Sequence, residues 1–325
     1  MVEPLRSSSM EPVMQQVSGN SFGAASAAIL SLFLSAPPAG AQQNASLVPD
    51  LSGVWGRNTL NLEAPLSGNG PVFNMTRNED GTLDTRIPVG DYNNPVLKPD
   101  AARIVRERGE ISLAGEAFPS PHNQCWPEPT PFILAIQFGV QILQHADGVV
   151  LTYLSNHQVR HIRINAPHRA GMTPTWQGDS VGHYEGDTLV IDTVGIKVGP
   201  HATVDRNGTP HSEALHVVER YRRVDGQTAR EAILAHERLY SRDFEISADI
   251  ESRQYGRGPV DPDPRLDGLQ VEINVEDQGV FTAPWSARVT YRPTTGGWPE
   301  AVCAENARDI TGAEAAVPVA ASADF

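Results

Sequence analysis

The chain has 325 residues, 40% of them hydrophobic, enough to bury the core of one large domain or two small ones. Its 39 acidic against 25 basic side chains give a net charge of −14, which argues against nucleic acid as a partner, because such proteins neutralise phosphates with clustered Lys and Arg. The 28 glycines and 26 prolines, set among short alternating segments, favour strands joined by turns over a helical bundle.

The chain opens on an apolar run, Phe22 to Leu34, too short to span a bilayer comfortably, followed by Ala39-Gly40-Ala41. This pattern predicts a signal peptide over residues 1–41, cleaved before Gln42, and export to the periplasm or beyond. The n-region departs from the rule, since Glu3, Arg6 and Glu11 sum to a negative charge; a buried helix is the other reading. No later apolar run is long enough for a membrane span. An oxidising compartment would let Cys125 and Cys303, the two cysteines, form a disulfide, closing a loop long enough to contribute roughly 4 to 5 kcal/mol. Two free thiols, one of them a nucleophile, are the alternative.

Asp50 to Trp55 carries a Gly-x-Trp that also opens lipocalin-type barrels, where the tryptophan plugs one end; an ordinary buried Trp at a strand start fits equally. Residues 61–98 read as a long surface loop, and Lys98 to Arg108 as a helix with Pro99 in its first turn. Residues 117–131 pack five prolines around His122 and Cys125-Trp126, so that segment is extended or turning.

From Phe138 the pattern is β. Val140 to His145 and Val149 to Leu154 flank a turn at Asp147-Gly148. In the next strand alternation puts His157, Val159, His161 and Arg163 on one face and Arg160, Ile162 and Ile164 on the other. The histidine face either meets water or lines a polar cavity. On a strand His157 and His161 lie about 13 Å apart, too far for one metal, and no His-Glu-x-x-His exists, so no metal site is expected.

Trp176 to Ile196 is the densest stretch. It reads as a β-hairpin with its turn at Glu185-Gly186-Asp187, and carries His183, four carboxylates (Asp179, Glu185, Asp187, Asp192) and glycines Gly178, Gly182 and Gly186 that could admit a ligand to the backbone. A strand over Leu215 to Val224, a short helix over Ala229 to Leu239, an exposed excursion over 252–268, and strands from Leu269 and Trp285 follow, with Cys303 near the end of the body. His211-Ser212 invites a Ser-His-Asp reading, but no Gly-x-Ser-x-Gly elbow accompanies it.

The expectation is an all-β fold: a single antiparallel β-barrel or strongly twisted sheet, lipocalin- or calycin-like, with one or two short helices and long loops. The domain would span 42–310, with a flexible tail at 311–325. The run Trp176-Gln-Gly-Asp-Ser-Val-Gly-His-Tyr-Glu-Gly-Asp-Thr-Leu-Val-Ile-Asp-Thr-Val-Gly195 resembles a large group of exported, functionally uncharacterised bacterial proteins. So do Ala214 to Arg222, Gly279 to Ser286 and Trp298 to Asn306. The resemblance covers roughly residues 50–325, implies export and brings no activity with it; at His211-Ser212 similar members often place an aromatic residue.

Dinucleotide and phosphate cradles are absent, so no cofactor is expected and any chemistry falls to histidine and carboxylate. The candidate catalytic residues are His183 or His161 as proton carrier, Asp179 or Asp192 as its orienting carboxylate, and His216 converging with them. Arg160 or Arg163 would hold a substrate carboxylate, with Trp176 and Tyr184 as aromatic contacts. Such a set suits a lyase, decarboxylase or isomerase acting on a small molecule. The competing readings are a periplasmic binding protein for a small hydrophobic ligand and a structural envelope factor.

Overall fold

The computed structural model describes residues 48–57, 59–136, 138–199, 201–242, 260–294 and 303. The expected signal peptide, the C-terminal tail and most of the 252–268 excursion lie outside the described residues.

Among the described residues, nine strands close into one barrel in sequence order. They are β1 (Gly53–Gly56), β2 (Val140–Gln144), β3 (Gly148–Tyr153), β4 (Val159–Ile164), β5 (Asp179–Glu185), β6 (Thr188–Val194), β7 (His216–Val224), β8 (Gly268–Glu276) and β9 (Trp285–Pro293). Among the described residues the chain is all-β with two α-helices, as its composition predicts. One joint departs from a purely antiparallel order: β4 and β5 run parallel, Arg163 opposite Val181, because residues 165–178 carry the chain across the barrel instead of turning it back. Hairpin logic assumes a reversal at each turn, and this crossover has none.

Period-two alternation sorts the side chains. Ile162, Leu189, Ile191, Val217, Tyr221, Val271, Val289 and Tyr291 are all buried and pack in one apolar cluster that fills the lumen. One ion pair sits among them. Arg160 and Glu219, about 1% and 0% exposed, meet through both guanidinium nitrogens. Arg160 Nε also donates to Ser180 Oγ at 2.9 Å, and the Tyr221 hydroxyl donates to Glu219 at 3.0 Å. Burial works against the guanidinium charge, and the Glu219 carboxylate beside it holds the proton on. Trp55 is buried in β1, its indole N–H on Leu51 O at 3.0 Å and the Arg223 guanidinium 5.4 Å over its ring.

The first helix, α1 (Pro99–Leu113), runs five residues past the expected Arg108, because Gly109 and Ser112 continue its buried face. The second, α2 (Gly226–Glu237), starts earlier than the expected Ala229. The Asp225 carboxylate accepts Thr228 N–H at 2.9 Å and caps it. Residues 61–98 form isolated bridges, and Glu63 reaches the outer side of β9, accepting Thr290 N–H at 2.6 Å. The Cys125–Cys303 disulfide is formed, with Cα atoms 5.3 Å apart. No helix of the described residues is long and apolar enough to cross a membrane.

Candidate active site

Four of the candidate residues, Asp179, Asp192, His216 and Arg163, meet on the outer face of the barrel, joined by a histidine that sequence reasoning missed. His168, in the crossover between β4 and β5, places Nδ1 3.0 Å from Asp179 Oδ2 and Nε2 2.9 Å from Asp192 Oδ1. His216 on β7 puts its own Nε2 3.0 Å from the same Asp192 oxygen, and its Nδ1 lies 3.9 Å from Glu276. Arg163 donates to both oxygens of Asp179 at 2.9 and 2.8 Å, and Arg169 N–H adds a bond at 3.0 Å. Burial alone would raise the Asp179 carboxyl; the Arg169 N–H, His168 and Arg163 outweigh it and hold the group below the usual carboxylate range. Both nitrogens of His168 face carboxylates, so both contacts are hydrogen bonds at once only when the ring carries two protons. This relay fastens the crossover to β5, β6 and β7.

The other candidates go elsewhere. His183 is exposed on β5, four residues and about 13 Å along the strand from Asp179, with Nε2 on Glu185 at 2.9 Å. Glu185 also pairs with Arg220 at 2.6 Å; these contacts, His183 first, hold its carboxyl low. His161 is exposed on the outer face of β4, so the histidine face meets water. Arg160 points the opposite way into the lumen and is committed to Glu219, which removes it from any surface where a substrate could reach it. Tyr184 accepts a bond from Gln144 Nε2 at 2.9 Å, and Trp176 packs 5.6 Å from Trp126 with Lys197 over its ring. The hairpin glycines serve the fold. A Cβ on Gly178 would meet Val194 O at 2.6 Å, one on Gly182 would meet Ile162 Cγ2 at 2.9 Å, and Gly186 supplies φ +62° for the turn.

Another histidine–carboxylate pair lies in the proline-rich segment before β2. His122 Nδ1 sits 2.8 Å from Glu128 Oε1, and the Glu128 side chain is 0% exposed while that of His122 is 41% exposed. Ser155 Oγ donates to the same oxygen at 3.0 Å; Asn156 Nδ2 at 3.4 Å and Gln158 Nε2 serve the other. Three of the four partners are obligate or ready donors, the pattern an ionised carboxylate satisfies, and it selects the His122 tautomer with its proton on Nδ1. Among the described residues no hydrogen-bond partner engages Nε2. His122 also lines a cavity of about 400 Å3, together with Ile87, Leu113, Phe118, Phe132 and Arg206. Two further cavities, about 350 Å3 over β7–β9 and about 460 Å3 beside Trp55, are lined by no histidine.

The sequence signal for this pair was thin, a glutamate between prolines six residues after a histidine, in a segment without periodicity. Among the described residues no three His, Cys, Asp or Glu side chains form a group able to hold a metal ion. No family model, curated protein or solved structure matches the chain.

Proposed function

We propose that this protein is an exported enzyme that moves a proton on a small organic molecule by histidine and carboxylate chemistry, of the lyase, decarboxylase or isomerase type. The observation that carries the reading is His122, fixed through Nδ1 by the buried Glu128 on the wall of a 400 Å3 cavity. Nε2 takes a proton from the substrate while Nδ1–H stays on Glu128, whose charge stabilises the imidazolium that forms. Returning that proton to a different atom completes an isomerisation, and giving it to a leaving group completes an elimination. Ile87, Leu113, Phe118 and Phe132 suit an apolar or aromatic body.

The relay on β5–β7 gathers the expected Asp179, Asp192 and His216 but not His183 or His161, the expected proton carriers, and it supports the reading less. His168 has both nitrogens occupied, and its carboxylates already have partners.

The test is a thermal-shift scan of small aromatic and carboxylate-bearing molecules, where a ligand at 100 times its Kd adds about 2.7 kcal/mol of stability. Turnover assays on the hits follow, with wild type and His122→Ala. Loss of turnover in His122→Ala with the ligand shift retained supports the enzyme. Turnover at the wild-type rate in that variant removes it. The apolar lining favours one second reading, a binding protein without chemistry, for which hits shift the melting temperature and none is converted.

A further inference from the structure

The disulfide and the His122–Glu128 pair belong to one closed ring of contacts. Cys125 lies in the turn between His122 and Glu128, where Trp126 N–H bonds Pro121 O at 2.9 Å. On the other side of the bond, Cys303 N–H donates to Asn156 Oδ1 at 2.8 Å. The same Asn156 side chain donates through Nδ2 to Glu128 Oε2 at 3.4 Å, and Glu128 holds His122 through Oε1. Cys303 Sγ closes the ring 3.8 Å from His122 O. Cys125 and Asn156 both sit at φ +51°; asparagine tolerates this left-handed conformation, whereas for Cys125 it is costly and kept only where neighbours enforce it. Neither cysteine belongs to a strand, and the barrel closes through its own register without them.

We propose that the Cys125–Cys303 disulfide is a redox control on this site, with Asn156 as the positioning residue between bond and dyad. The proposal rests on reading His122 and Glu128 as the acid–base pair. The co-reactant is a dithiol. Its thiolate attacks one sulfur of the bond and expels the other as a thiolate; its second thiolate then attacks its own first sulfur, expels the remaining cysteine as a thiolate and closes the cyclic disulfide. The protein gains two electrons and two protons, and Cys125 and Cys303 become thiols. Cys303 then no longer fixes Asn156, Glu128 loses one of its four partners together with the tether on its segment, and His122 parts from it. The oxidised protein is the active form, as suits an oxidising compartment.

The experiment needs no substrate. Protein labelled with 15N-histidine is examined by imidazole NMR, the His122 Nδ1–H resonance being assigned by its loss in His122→Ala. Four samples are compared: oxidised wild type, wild type reduced with dithiothreitol until two thiols are counted, Cys303→Ser, and Asn156→Ala with the disulfide intact. The resonance should be present in the oxidised protein. In the other three it should be lost, or exchange with water at least about tenfold faster, while backbone amide signals of the strands keep their positions. A resonance that survives reduction, or survives Asn156→Ala, overturns the proposal, as does its absence from the oxidised protein. Collapse of the strand signals on reduction also overturns it, because the bond is then a staple of the whole fold. Failure of the enzyme reading shows separately, as absent turnover with the resonance behaving as described.

Discussion

The relay on β5–β7 and the His122–Glu128 dyad both hold a histidine against carboxylates, and they differ in what they leave open to another molecule. In the relay, Asp179 and Asp192 take both nitrogens of His168, and His216 spends its Nε2 on the same Asp192. At the dyad, Glu128 takes Nδ1 of His122 and Nε2 has no hydrogen-bond partner among the described residues. The relay carries more charge and is the tighter clasp; the dyad has a nitrogen to spend. A proton-transfer group is recognised by the ring nitrogen its surroundings leave unoccupied more than by the number of acids around it.

Substitutions sharpen this contrast in order of size. The lumen sets the scale: Glu219→Ala strands the Arg160 charge in the barrel and should cost about 3 to 5 kcal/mol in urea unfolding. A loss under 1 kcal/mol would show that water reaches the lumen. Glu128→Ala leaves Ser155, Asn156 and Gln158 without their shared acceptor, and about 3 kcal/mol should go with it, along with any turnover. Full activity in a stably folded Glu128→Ala would break the dyad reading. His168→Ala should cost about 1 kcal/mol, reduced by partial exposure, and should speed amide exchange in residues 165–178 while ligand shifts and turnover stay unchanged. Lost turnover there would move the active site to the relay. The smallest effect belongs to His183→Ala, whose exposed contact with Glu185 should leave the melting temperature where it was.

Acid should separate two layers of the structure. Burial lowers the proton affinity of His211 and His236, so their unfolded forms bind protons first. Stability is then complete above about pH 6.5 and declines as pH falls toward their folded values. Asp179 acts lower: its contribution is whole above about pH 4 and is lost as pH falls through its depressed folded value. A melting-temperature profile that is flat from pH 7 to pH 4 would count against the buried histidines.

What could be read from sequence followed from periodicity. The alternation through Val159 to Ile164 sorted its two faces correctly, because one face meets water and the other the lumen. The hairpin from Asp179 to Val194 was equally legible, its turn dictated by Gly186. The parallel β4–β5 joint was not, since strand pairing across a crossover leaves no local pattern. His168 and Glu128 escaped for the same reason: each sits in an irregular segment where only tertiary folding brings its partners near. Arg160 was misplaced although its face was known, because alternation says that a residue points inward without saying that an acid waits there. Asp225 could have been found, as an acid three residues before Thr228 at the head of an alanine-rich run.

The disulfide also decides how the molecule would carry a mechanical load. Tension applied to the two chain ends enters through β1, passes residues 61–113, and at Cys125 crosses the covalent bond directly to Cys303, 178 residues further along. Everything between, strands β2 to β9 and α2, lies on a slack bypass. β1 meets β9 over two register pairs and β2 over three, against nine between β7 and β8, so β1 would be peeled away first. A stretched, oxidised chain would therefore stop lengthening early, with eight strands still untouched; the same chain after reduction would unravel to its full contour.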